Sequence, residues 1–246
     1  MMMEANLTLL EVAFFSIALL YSMTGHGGGS GYIAIMALIG MTPHEIKPMA
    51  LGMNIIVSTV ATVQFYRAGH FKQALFLPFI LGSVPLAMLG GYLQLPTYWF
   101  NLLMGLALVF AALRIAVKRP ADLPAITPNF SMAILAGAAI GLLSGLIGVG
   151  GGIFLTPLIL LLGWANPKQA AAVSAPFILL NSFSGLAGFS AHTTQTLPAG
   201  IIWLALAVLL GGLVGSHFGS RSFSMKVVSR VLSAVLLIGG FKLLYV

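Results

Sequence analysis

Ten apolar runs succeed one another along the chain, at positions 7–23, 32–41, 46–66, 74–93, 98–117, 132–147, 153–164, 169–190, 197–218 and 227–246. Most approach the length a helix needs to cross a hydrocarbon core of about 30 Å, which takes about 20 apolar residues. Only 6% of the 246 residues are charged, whereas soluble domains carry about 25% to face water. Lipid must therefore solvate most of this chain. The sequence predicts an all-α polytopic membrane protein.

Two runs, 32–41 and 153–164, are far shorter than the rest. At about 1.5 Å per residue they reach roughly half of the hydrocarbon core, so they read as half-helices or members of short hairpins. The first run lacks a basic leading region, carries Glu4 and Glu11 and ends in a glycine cluster. It reads as mature protein rather than a signal peptide.

The formal charge of +7 sits mostly between the runs. Nucleic acid is therefore not an expected partner, and the lysines and arginines read as topology signals. Arg67 with Lys72, Arg114 with Lys118 and Arg119, and Arg221 with Lys226 and Arg230 mark cytoplasmic connections, while 94–97 and 191–196 carry no Lys or Arg and belong outside. Followed from these anchors, the chain has both termini outside. Its first half enters the membrane from outside and its second half from inside.

The Pro-rich stretch 118–128 is the one long polar connection, and it divides similar halves. Gly27, Gly28 and Gly29 match Gly150, Gly151 and Gly152, and Gly40 matches Gly163, all at an offset of 123. Pro43, Ser58 and Phe65 match Pro167, Ser182 and Phe189 at 124, and Gly90-Gly91 matches Gly211-Gly212 at 121. Each half holds five segments, so the copies run in opposite directions, an arrangement that marks secondary transporters. The expected layout is a first transmembrane repeat at 1–119, a cytoplasmic linker at 120–129 and a second repeat at 130–246, with half-helices after glycine-rich breaks. A helix breaker stands nine residues after each matched proline, Gly52 in one copy and Pro176 in the other. A kink or break is expected there, near mid-membrane.

The chemistry on offer is narrow. With no cysteine, disulfides, thiolate metal sites and a cysteine nucleophile are excluded. Glu4, Glu11, Glu45 and Asp122 are the only acids, too few for a carboxylate metal cage, and no catalytic or phosphate-binding motif is present. Neither a metal nor a cofactor is expected. The most informative elements are the glycine clusters 25–31 and 145–152, each between a longer helix and a half-helix. Half-helices starting there would aim unpaired N–H groups and positive dipole ends at one central point, which suits a small anion. Close helix packing is the alternative use of such glycines.

His26, Gly27, Gly28, Gly29, Asn54, Ser58, Gly150, Gly151, Gly152, Ser174, Asn181 and Ser182 are the candidate substrate-binding residues. The serines and asparagines offer neutral donors to an oxyanion, although such groups also tie helices together. His26 offers a donor or a titrating group, but the second copy has Val149 at its place. Glu11 falls about one turn into the first predicted helix; Lys47 and Lys168 begin theirs, and His70, His192 and His217 fall near segment ends. All of these read as interface residues.

The chain resembles the TauE/SafE family of sulfite and organosulfonate transporters, also called the toluene-sulfonate uptake permease family. The resemblance covers nearly all of it and rests on Gly27-Gly28-Gly29, Gly148-Val149-Gly150-Gly151-Gly152, Thr156-Pro157, the helix start 169–176 and Asn181-Ser182-Phe183-Ser184-Gly185-Leu186-Ala187-Gly188. The first copy departs from it, with Ser30-Gly31-Tyr32-Ile33-Ala34 where the second has Ile153-Phe154-Leu155-Thr156-Pro157. The resemblance implies movement of sulfite, sulfoacetate or related sulfonates across a bacterial cell (inner) membrane.

Three functions compete on the residues alone. A secondary transporter working by alternating access uses the repeat, the paired breaks and a midplane site. A passive anion channel would use the same donors. A membrane-embedded enzyme would need an acid, base, nucleophile or metal set, and the chain offers only His26 among neutral groups. The expected partners are a small anionic substrate, the lipid bilayer and a coupling ion, proton or sodium; a homo-oligomer is compatible with the pattern.

Overall fold

A computed structural model describes residues 2–116, 128–191, 201–221, 237–238, 240–241 and 243–245. Its elements are all helical: α1 (Met2–Ser22), α2 (Gly29–Leu38), α3 (Pro43–Arg67), α4 (Gln73–Tyr92), α5 (Thr97–Ala116), α6 (Phe130–Ile147), α7 (Gly152–Leu161), α8 (Pro167–Ser190) and α9 (Ile201–Arg221). Among the described residues, α3, α4, α6, α8 and the stretch Ile201–Ser220 are long and apolar enough to cross a membrane. The two short runs form helices of 10 residues each, spanning about 15 Å at 1.5 Å per residue. The stretch 117–127, most of the tenth run, and the predicted anchors Lys118, Arg119, Lys226, Arg230 and His192 lie outside the described residues.

Matched sequences start matched helices. Thr42-Pro43-His44-Glu45 and Asn166-Pro167-Lys168-Gln169 each put proline at the first helical position, where its missing N–H costs nothing. In each the third helical residue reaches back to the cap: Thr42 N–H donates to Glu45 Oε2 at 2.9 Å, and Asn166 N–H donates to Gln169 Oε1 at 3.2 Å. Such a reciprocal cap fixes the point of entry into the helix.

α3 and α8 pack on each other at the centre. α4 packs on α6 and α8, while α9 packs on α1 and α3, so the contacts map onto themselves when α1 to α4 are exchanged with α6 to α9. The matched glycine pairs obey the same exchange. Gly90 faces the backbone of Leu142 in α6 and Gly91 that of Gly185 in α8; Gly211 faces the backbone of Phe15 in α1 and Gly212 faces Val57 in α3. Stripes of glycine four residues apart close both outer pairs: Gly137, Gly141 and Gly145 of α6 lie on the α4 backbone, and Gly211, Gly215 and Gly219 of α9 lie on the α1 backbone. A side chain at any of them would force the helices apart, as small residues prevent in membrane bundles. Packing is therefore the role of most glycines outside the two breaks.

Three sequence expectations need correction. No break falls at Gly52 or Pro176, since α3 and α8 each continue as one helix through them; a mid-helix glycine costs about 1 kcal/mol and a proline about 3 kcal/mol, too little to open a helix held along its buried face. The departures from helix fall at the glycine clusters instead. α1 begins at Met2, so Glu11 lies more than about two turns into it. Lys47 stands near the start of α3 as expected, but its side chain is buried against the end of α4.

Candidate functional site

Each break ends in a glycine that only glycine suits. Gly28 (φ 96°) caps α2 and Gly151 (φ 83°) caps α7, both in the left-handed region. Neither cap supplies a side-chain hydrogen bond. In α2 the first backbone N–H to bond back into the helix is that of Tyr32, to Gly28 O at 3.0 Å, so those of Gly29, Ser30 and Gly31 have no intrahelical partner. In α7 the bonding starts one residue sooner, with Phe154 N–H to Gly151 O at 3.1 Å. Only the N–H groups of Gly152 and Ile153 are left over there.

The two breaks meet. A Cβ built on Gly27 would fall 2.5 Å from Asn54 Oδ1 and 3.2 Å from Ile178 Cγ2; one built on Gly150 would fall 2.8 Å from Ile178 Cγ2 and 2.9 Å from both Asn54 Nδ2 and Ser182 Oγ. Gly29 abuts the Asn54 amide and, at 2.8 Å, Val149 O; Gly152 abuts Ile178 and, at 3.3 Å, the His26 ring. This is the exchange seen in the helix packing: Asn54 and Ile178 stand 124 apart, His26 and Val149 123 apart. Gly25 and Gly148 repeat it further out, closing on Ala171 and Lys47 respectively.

Asn54 donates Nδ2 to Val149 O at 3.1 Å, so α3 of the first half is tied to the break of the second. Ser58 Oγ donates to Asn54 O within its own helix. Ser174 bonds Thr156 Oγ1 at 2.7 Å, joining α8 to α7. Asn181 Nδ2 donates to Phe177 O at 3.0 Å. His26 Nδ1 lies 3.1 Å from Thr24 O and 2.8 Å from Thr24 Oγ1, whose own hydrogen goes to Tyr21 O. A carbonyl only accepts, so the network puts the neutral ring's proton on Nδ1. The structure thus brings His26, Asn54, Ser182 and the glycines of both breaks together, while Ser58, Ser174 and Asn181 are each hydrogen-bonded to a neighbour elsewhere.

Among the described residues six side chains bury a polar atom with no hydrogen-bond partner: Tyr32, Asn54, Ser83, Ser144, Asn181 and Ser182. Four of these stand against break glycines. Tyr32 OH lies 2.7 Å from a Cβ built on Gly28 and Ser144 Cβ lies 3.4 Å from one built on Gly151, with Asn54 and Ser182 placed as above. Buried polar groups are ordinarily paired, so such a concentration calls for an explanation.

Tyr32, Ser144, Thr156, Ile178 and Lys47 are not among the site candidates named from the sequence. Ile178 had a signal, since the repeat offset pairs it with Asn54. Lys47 Nζ donates to Gly91 O at 3.1 Å and Gly90 O at 3.2 Å and lies 5.5 Å from the Phe189 ring centre. A cation thereby caps the carbonyl end of α4, where the helix dipole favours positive charge. Among the described residues no group of three His, Cys, Asp or Glu could hold a metal.

The family described as "Sulfite exporter TauE/SafE" matches residues 10–243. A relative from Sinorhizobium fredii, "Probable membrane transporter protein y4hK", is 40% identical over 241 residues, covering 96% of this chain and 97% of that protein. "Probable membrane transporter protein YunE" of Bacillus subtilis is 27% identical, over 91% of this chain and 92% of its own. "Probable membrane transporter protein MJ0441" of Methanocaldococcus jannaschii is 26% identical, over 97% and 95%. No solved structure matches the chain.

Proposed function

The chain belongs to the sulfite exporter TauE/SafE family, and from that premise we propose that it is a secondary transporter of small sulfur-containing anions such as sulfite, sulfoacetate or related sulfonates. The observation that carries this reading is the gathering of unspent hydrogen-bonding groups, the buried Asn54 Oδ1 and Ser182 Oγ and the first-turn N–H groups of two half-helices, where the two breaks meet. Backbone N–H groups at a helix start bind anions without a fixed cation, and a site without one holds its substrate weakly enough to release it. The two halves are read as inverted copies, the first entering from outside, that rock against each other so that the site opens to either face of the inner membrane in turn. The contact pattern that maps onto itself under exchange of the halves supports that reading.

Reconstituted into liposomes, the protein should show saturable uptake of labelled sulfite or sulfoacetate and counterflow when loaded with unlabelled substrate. Flux that never saturates and shows no counterflow would make it a channel; substrate chemically changed on passage would make it an enzyme. The coupling proton is assigned to His26, against the α7 start: His26→Gln should bind substrate as before but lose the pH dependence of flux. An unchanged pH profile leaves sodium as the coupling ion to test.

A further inference from the structure

Asn54 is wholly buried, and its amide is oriented by a group that can only accept. Nδ2 donates to Val149 O at 3.1 Å, so Oδ1 is held on the other side, where it has no partner. That oxygen faces Gly27 of the first break, 2.5 Å from a Cβ built there, whereas at Gly29 the nearer amide atom is Nδ2, with Oδ1 at 3.0 Å. An amide oxygen accepts and never donates. An anion built only of bare oxygens satisfies the α2 and α7 N–H groups but sets a lone pair against Oδ1, while displacing any water that could donate to it.

Resting on the anion-transport reading above, we propose that the carried anion bears a hydrogen-bond donor of its own and that Asn54 Oδ1 receives it. The ligand class is a small oxyanion with one O–H or N–H, either a singly protonated headgroup or a hydroxy- or amino-sulfonate; of the anions named above hydrogensulfite fits it, and ionised sulfoacetate, which has no O–H or N–H, does not. Ser182 Oγ, buried and unpartnered beside Gly150, both donates and accepts, so it sets no such demand. Ile178, the counterpart of Asn54, offers no acceptor. The site reads one donor at one end, and the anion binds in one orientation, its donor toward the first break and bare oxygens toward the α7 start.

Two matched pairs test this by calorimetry on the purified full chain at mildly alkaline pH, where phosphate is almost wholly hydrogenphosphate. Hydrogenphosphate and sulfate share shape and charge and differ by one O–H; hydroxyethanesulfonate and ethanesulfonate differ by a chain hydroxyl. The donor-bearing member of one pair should bind about tenfold more tightly or better, and which pair does so tells whether the donor sits on the headgroup or the chain. In Asn54→Leu the gap should close to within about twofold, with loss falling on the donor-bearing anion. Equal binding within both pairs overturns the inference and leaves the anion reading standing. Binding of no anion at all, including sulfite and sulfoacetate, overturns both. A gap that persists in Asn54→Leu removes Asn54 from the role. The wild-type comparison stands whether or not the variant folds.

Discussion

The first and second breaks share a backbone and differ in what lines it. Both cap a half-helix with a left-handed glycine, and both press a glycine against the helix that follows. The first meets an amide, Asn54, and the second meets an alkyl chain, Ile178. The first leaves three N–H groups unspent and the second two. A shared backbone geometry thus carries divided side-chain chemistry, polar at Asn54 and apolar at Ile178.

Substitution at the matched glycines should separate the halves most strongly. In Gly29→Ala the new methyl meets Val149 O, at 2.8 Å, and an Asn54 amide already pinned by its hydrogen bond. Neither can yield without breaking the tie between the halves. In Gly152→Ala the methyl meets Ile178, whose Cδ1 can swing aside while Cγ1, at 2.7 Å on a side chain stiff at χ1, requires a small shift of the contact but breaks no hydrogen bond. Uptake of labelled sulfite in liposomes should fall to background in the first variant and only a few-fold in the second, both remaining monodisperse in detergent. Equal losses would make the breaks equivalent.

Lys47 and Ala171 are the next matched pair, closing on Gly148 and Gly25. Lys47→Met strands the carbonyls of Gly90 and Gly91 and should cost about 2 kcal/mol of stability, read as a lower unfolding midpoint. Sulfite affinity should not change. A tenfold loss of affinity, about 1.4 kcal/mol, would put a fixed cation at the anion and displace the backbone-donor account.

Much of this was legible in the sequence, and what was not has physical causes. The run lengths of 32–41 and 153–164 gave the half-helices, because helix length in a bilayer is set by thickness. The offsets 123 and 124 paired Gly28 with Gly151 and Pro43 with Pro167, since a cap has strict residue demands. Which polar groups reach the site was not legible. Ser58, Ser174 and Ser182 look alike in sequence, yet a serine in a helix can satisfy itself on the preceding turn, and only packing decides. The burial of Lys47 was not legible because the carbonyls that hold it belong to a helix more than 40 residues away. A backbone acceptor such as Val149 O leaves no mark in sequence.

Ser58 and Ser182 sharpen the comparison at about one hydrogen bond. Ser58 spends its hydroxyl on Asn54 O, and Ser182 Oγ has no partner. Ser182→Ala should therefore weaken sulfite binding by a few-fold to about tenfold with little change in thermal stability, whereas Ser58→Ala should leave binding within about twofold. The reverse order would exchange the roles of the two halves at this level.

Gly52 and Pro176 carry the smallest effect and the most direct question about motion. Both stand in the interior of a continuous helix. A Cβ added at Gly52 meets nothing within 4 Å, so no close approach requires glycine there. Alanine has the higher helix propensity by about 1 kcal/mol and narrows the unfolded ensemble. Gly52→Ala should accordingly raise the unfolding midpoint slightly and leave sulfite uptake unchanged. Gly82→Ala in α4 is the contrast, because its methyl would run into the backbone of Ile134 in α6 and lower stability. If Gly52→Ala is stabilised yet transports markedly more slowly, then α3 has to bend at Gly52 during the cycle. The expectation of a break would then hold for another state of the protein.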